Sequence, residues 1–202
     1  MKRVPSAIAL LLLLPLAALA RSAPPACQPC GTWQIDPSAS EAVEPAVDAA
    51  LEKYKPPRMK RFRGNYGDIA SETEAEFNNS LTERFGPRDR EKLRDELLRA
   101  LATPAQLTLR QDGDDVLIEP AEGYRRRVTP GEPHARVDSV GTAEIAATLR
   151  GATLTISEKY QRKTENREIY ALDAAKGLLR VTRSVRRPGL PTIVVHSTYQ
   201  MH

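Results

Sequence analysis

The 202-residue chain has little of what marks several functional classes: two cysteines, one tryptophan and 5% aromatic residues. Two cysteines leave no second pair to complete a zinc site. The longest apolar run, Ala7 to Ala20, holds fourteen residues and contains Pro15, short of the roughly 20 that a helix needs to span a bilayer. No P-loop and no glycine-rich dinucleotide fingerprint appears. Nor is there a nucleophile elbow of the Gly-x-Ser-x-Gly kind. Charge of one sign is scarce as well. The formal charge is +4 with Lys2 and Arg3 and +2 without them, which argues against a strongly basic nucleic-acid binder.

What is present starts with an address. Lys2 and Arg3, the run from Ala7 to Ala20, and Ala18-Leu19-Ala20 as a cleavage box make residues 1–20 a secretory signal peptide. The mature chain then starts at Arg21, exported to a periplasmic or secreted location without a transmembrane anchor. Fifteen of those first twenty residues are apolar; the other 182 hold roughly 37% hydrophobics, the lean end for a compact domain. Residues 21–30 form a Pro/Cys segment, and 31–202 a single β domain with a helical insertion at about 37–105.

Cys27 and Cys30 have Cys-x-x-Cys spacing. A redox pair needs its first thiol at a helix N-terminus, where the dipole lowers the pKa. Here Pro24, Pro25 and Pro29 surround the pair and a strand follows. In an oxidising compartment a short structural disulfide is the expectation, with a periplasmic thiol-disulfide oxidoreductase kept as an alternative.

Apolar spacing predicts a helix over Glu41 to Tyr54 through Val43, Ala46, Val47, Ala50 and Leu51, capped by Ser38 or Ser40. A second helical region has Ser71 and Glu74 as a capping box and Phe77 and Leu81 on one face. The strongest helix runs from Arg88 to Leu101 on Leu93, Leu97, Leu98 and Leu101. Between the first two, 55–68 reads as a loop.

From Gln106 the period changes to 2. Short strands at about 8 to 12 residue spacing, with turns at Gln111 to Asp115, Arg150-Gly151 and Asp173 to Gly177, give nine or ten strands together with Gly31 to Ile35. This predicts a mainly β fold: an antiparallel up-and-down barrel or strongly coiled sheet of about 8–10 strands, with the helical insertion after the first strand. Closure removes exposed edges and leaves room for a packed interior or one small ligand.

Gly31-Thr32-Trp33 resembles the Gly-x-Trp start of lipocalin-like (calycin) barrels. The stretch Gln111 to Ile118, the segments Thr164 to Leu172 and Leu178 to Thr182, and Thr198-Tyr199 look like the hairpins and closing strand of small exported bacterial β-proteins of unassigned function that begin with Gly-Thr-Trp. The resemblance covers 31–36 and 106–200; residues 37–105 depart from the lipocalin order, where one helix follows the barrel. It implies a barrel that binds an apolar or amphipathic molecule, and no catalytic residue.

The candidate ligand-lining residues are Trp33, Leu107, Leu109, Ile145, Leu154, Ile156 and Val194. For Trp33 the favoured reading is a plug at the barrel's closed end with its indole N–H satisfied. Lys55, Arg58, Lys60, Arg61 and Arg63, interleaved with Tyr54, Phe62 and Tyr66, and the run Arg125-Arg126-Arg127, read as solvated surface or as contacts for an anionic envelope component or protein partner. His134, His196 and His202 lack metal-ligand spacing, so no metal and no cofactor is expected. Ser139, Ser157, Ser184 and Ser197 have no triad context, and Glu158, Glu165 and Glu168 fall on alternate positions normally given to solvent. The reading is an exported non-catalytic β-barrel protein binding a small apolar or amphipathic ligand.

Overall fold

Alternating apolar residues on short strands bury one face each, and the computed structural model joins those faces into one antiparallel sheet. It describes residues 26–55, 87–138, 141–160 and 164–202. The strands are β1 (Gly31–Ile35), β2 (Gln106–Asp112), β3 (Asp115–Pro120), β4 (Arg126–Val128), β5 (His134–Asp138), β6 (Gly141–Arg150), β7 (Thr153–Tyr160), β8 (Thr164–Asp173), β9 (Leu178–Arg186) and β10 (Ile193–Met201). Their order, β4-β3-β2-β1-β10-β9-β8-β7-β6-β5, is up-and-down throughout, with β1 pairing β10. The sheet curls into a half-barrel.

Its edges, β4 and β5, follow one another in the chain yet do not pair with each other. The turn between them lies instead on β6, with a Pro130–Ala147 bridge and the Gly131 N–H donating to the Ala147 carbonyl at 2.9 Å. His134 opens β5.

The helices follow β1. A 3-10 turn, Pro37–Ala39, is capped by the Asp36 carboxylate, which accepts from the N–H groups of Ser38 and Ala39. α1 (Val43–Glu52) starts after Ala42 with no side-chain cap, so neither Ser38 nor Ser40 serves it. Ser40 is used on β10, where its hydroxyl accepts from the Thr198 N–H at 3.0 Å. Pro45 falls in the first turn, where its missing N–H costs nothing. α2 (Pro87–Leu101) begins one residue before the expected Arg88 with proline at its start, a favoured position. Among the described residues no helix is long and apolar enough to cross a membrane.

Two apolar clusters result. Trp33, Leu107, Leu109, Val116, Ile118, Ile145, Leu154, Ile156 and Leu179 fill one end of the barrel. At the other end Val47, Leu51, Leu97 and Leu101 of the helices pack on Val185, Ile193 and Val195 of β9 and β10. The helices therefore cap the end opposite Trp33.

Candidate functional site

Between the two clusters the inward-facing positions change character. Strand parity turns Arg126 (β4), Arg136 (β5), Glu158 and Tyr160 (β7), Asn166, Glu168 and Tyr170 (β8), Arg183 (β9) and Tyr199 (β10) into the barrel. On β9, Val181, Arg183 and Val185 are buried on one face; on β7, Leu154, Ile156 and Glu158 are. The charges thus occupy places where apolar residues would serve packing better, because a buried ion is costly without compensation.

Compensation is partial. Arg126 reaches across the barrel and donates to Glu168 at 2.6 Å, to Tyr170 at 3.2 Å and to Glu158 at 3.4 Å. Arg136 donates to Glu158 and to the Tyr160 hydroxyl, both at 3.4 Å. Glu158, 6% exposed, also accepts from Tyr160 at 3.4 Å and Asn166 at 3.3 Å. The Tyr170 hydroxyl donates to Glu168.

Burial raises the proton affinity of Glu168, but Arg126 and Arg183 outweigh it and hold the carboxyl down at about 2. Burial and the neighbouring Glu168 push the Tyr170 hydroxyl above its ordinary value, so it stays a neutral donor. Burial disfavours the Arg126 charge, yet Glu168, Tyr170 and Glu158 more than offset this and raise its pKa.

Three arginines therefore face two carboxylates, a surplus of one positive charge. Arg183 is 6% exposed; Glu168 and the Tyr199 hydroxyl favour its charge and raise its pKa, while among the described residues its Nη1 has no hydrogen-bond partner. Glu168 stands directly opposite Arg183 in the β8–β9 register, but its short ion pair goes to Arg126.

The cluster connects to the surface. Asn166 accepts from Arg187 at 2.9 Å, and Arg187 and Tyr160 both line an open groove of about 800 Å³ at the capped end of the barrel. Its other walls are Lys159, Thr164, Glu165, Arg186, Pro188, Leu190, Pro191 and Thr192.

The expected site residues are distributed differently. Leu107, Leu109, Ile145, Leu154 and Ile156 are at most 3% exposed and share one packed cluster with Trp33. Val194 faces outward and is 42% exposed, because it alternates with the buried Ile193 and Val195. Trp33 is fully buried and its indole N–H donates to the Pro29 carbonyl at 3.0 Å, so it plugs the closed end. Cys27 and Cys30 form a disulfide that packs against this cluster. Lys55 is exposed after α1, and its N–H donates to the Gly189 carbonyl; Arg58, Lys60, Arg61 and Arg63 lie outside the described residues, as do Ser71, Phe77 and Leu81.

Glu158 and Glu168, expected on the solvated face, are interior; Glu165 is on the other face, accepting from Ser157 at 3.1 Å. Within Arg125-Arg126-Arg127 only Arg126 turns inward, while Arg127 pairs with Asp112 and Asp115 near the β2–β3 turn. Ser197 is buried against Thr103. His134, on β5, and His202, after β10, are exposed, and His196 lies on the outer face of β10 beside Thr182. Among the described residues no group of three or more His, Cys, Asp or Glu is placed to hold a metal.

The described residues thus form a ten-stranded, helix-capped antiparallel half-barrel with an ionic interior. No protein-family model and no curated protein matches the chain. Forty chains of solved structures do. Lipid binding protein 8 of Caenorhabditis elegans, in its apo form, is 11% identical with a TM-score of 0.47, covering 86% of this chain and 94% of its own. A Schistosoma mansoni fatty acid binding protein in complex with arachidonic acid is 15% identical with a TM-score of 0.46, over 86% and 95%. A secretory abundant heat soluble protein of Ramazzottius varieornatus is 12% identical with a TM-score of 0.47, over 90% and 100%. The fold assignment stands on the strand pairing itself and not on these scores.

Proposed function

We propose that this is an exported, non-catalytic binding protein for a small amphipathic molecule. The observation that carries the reading is the divided interior: an apolar end, and above it an ionic layer in which the buried guanidinium of Arg183 keeps one nitrogen, Nη1, without a hydrogen-bond partner among the described residues. A purely structural core gains nothing from burying that charge, since apolar replacements of ion pairs are often neutral or stabilising. A ligand with one polar end and one apolar end fits a site polar on one side and apolar on the other. Export rests on Lys2, Arg3 and the run Ala7 to Ala20.

The oxidoreductase alternative gains no support. The disulfide sits before β1 at the plugged end, and neither cysteine starts a helix, the setting that activates such thiols.

Native mass spectrometry of protein purified from the periplasm tests the reading. The expected spectrum shows a chain starting at Arg21 with a small-molecule adduct that organic solvent releases. Protein that carries no adduct and fails to enhance the emission of a fluorescent amphiphile overturns it.

A further inference from the structure

We propose that the groove at the capped end is an oxyanion site of the phosphate class, formed by Lys159, Arg186 and Arg187 at the end of β7 and the start of the β9–β10 loop. This deepens the amphiphile reading and rests on it: it names the head group and places it at the mouth of the barrel.

Four observations converge. First, the three cations and a single carboxylate, Glu165, line one cavity of about 800 Å³, a surplus of two positive charges. Second, among the described residues none of Lys159, Arg186 and Arg187 forms an ion pair, while Glu165 already accepts from Ser157. Third, Arg187 is half-buried and held in place: it donates to Asn166 at 2.9 Å and to the Arg186 carbonyl at 3.1 Å. Both partners are neutral; Glu96 and Glu158 favour the guanidinium charge without forming an ion pair to it, and burial outweighs them and lowers its pKa. Fourth, the loop that follows Arg187 is restrained. Pro188 and Pro191 restrict the loop, and the Gly189 carbonyl accepts from the Lys55 N–H at 2.9 Å.

Guanidinium groups present planar forks of donors that match a multi-oxygen anion. Thr164 and Thr192 add hydroxyls, and Leu190 with the two prolines offers an apolar ledge for an attached chain. A net charge of two favours a phosphate monoester over a single carboxylate.

Calorimetric titration at low salt tests this with three probes: octyl phosphate, octyl glucoside and inorganic phosphate. Octyl phosphate is expected to bind about tenfold or more tighter than octyl glucoside, and R186Q/R187Q to lose about that factor. R187K, which keeps the charge but loses the fork, is expected to fall between the parent and R186Q/R187Q. R180Q, on the outer face beside Asp173, is expected to bind like the parent, and thermal melts check that the variants are folded. Binding of inorganic phosphate alone supports a free oxyanion as occupant, whereas dependence on the octyl chain supports a lipid head group. If octyl glucoside binds as tightly as octyl phosphate, the oxyanion site is overturned and the amphiphile reading stands. If none of the three binds, both fall.

Discussion

Glu168 is the residue on which the interior turns. It faces Arg183 on the neighbouring strand and Arg126 from across the barrel, and it satisfies only the second at contact distance. Its folded pKa lies at about 2, below the ordinary 4.5. A carboxylate depressed in the folded state contributes stability that is complete above 4.5 and is lost as pH falls from there towards 2. The contribution is on the order of 3 kcal/mol at neutral pH. Glu168→Gln should therefore cost on the order of 3 kcal/mol at pH 7 and remove most of the loss seen in the parent between pH 5 and pH 2.5. Urea unfolding at both pH values measures it; parallel acid profiles for parent and variant would refute the assignment.

At the scale of elements, the C-terminal end of α1 is tied to the barrel by a backbone clasp. Lys55, just after α1, donates to Gly189 in the β9–β10 loop. Gly189 has φ +80, and a Cβ there would lie 2.1 Å from the Lys55 carbonyl oxygen. Gly189→Ala should destabilise the protein by about 2 kcal/mol or more and loosen α1 to proteolysis, since both backbone strain and the clash act. Gly113, with φ +64 and open space around it, supplies the comparison: there alanine meets only the left-handed penalty, about 1 kcal/mol. Equal losses at the two sites, by thermal melts, would show that the clasp does not exist.

The elements themselves were largely legible from alternation and turn residues: the β2–β3 turn, the starts of β8 and β9 and the two described helices fall within a few residues of where the sequence places them. The site was not. Period-2 patterning separates two faces, and assigning the polar one to solvent is right for Thr148 and Glu144 but wrong for Glu158 and Glu168. The missed signal is parity. Arg183 stands two residues from both Val181 and Val185, and Glu158 two from Ile156, so each shares the face of core residues. A charge at such a place is a statement about the interior. The ion pairs joining β4 to β7 and β8 depend on curl, which no local pattern encodes.

For the whole molecule, the seam between β4 and β5 is the organising fact. The barrel is held there by the Pro130–Ala147 bridge and by Arg126 and Arg136 reaching to Glu158, with no ladder between the edges. Meanwhile β1 and β10, the first and last strands, lie side by side with Trp33 opposite Met201, and the His202 N–H donates to the Thr32 carbonyl at 3.0 Å. The beginning and end of this meander are consequently interchangeable with its seam. Joining His202 to Ala26 and opening the chain within 129–133 gives a permutant that runs β5 to β10 and then β1 to β4. Every ladder then links strands adjacent in the chain, and the one pairing that now spans nearly the full sequence becomes a hairpin. Contact order falls, and stopped-flow refolding should be several-fold faster with the native sheet retained. An unchanged or slower rate would mean that the β1–β10 closure is not what limits folding. The natural order of this chain is thus one of several ways to thread the same sheet.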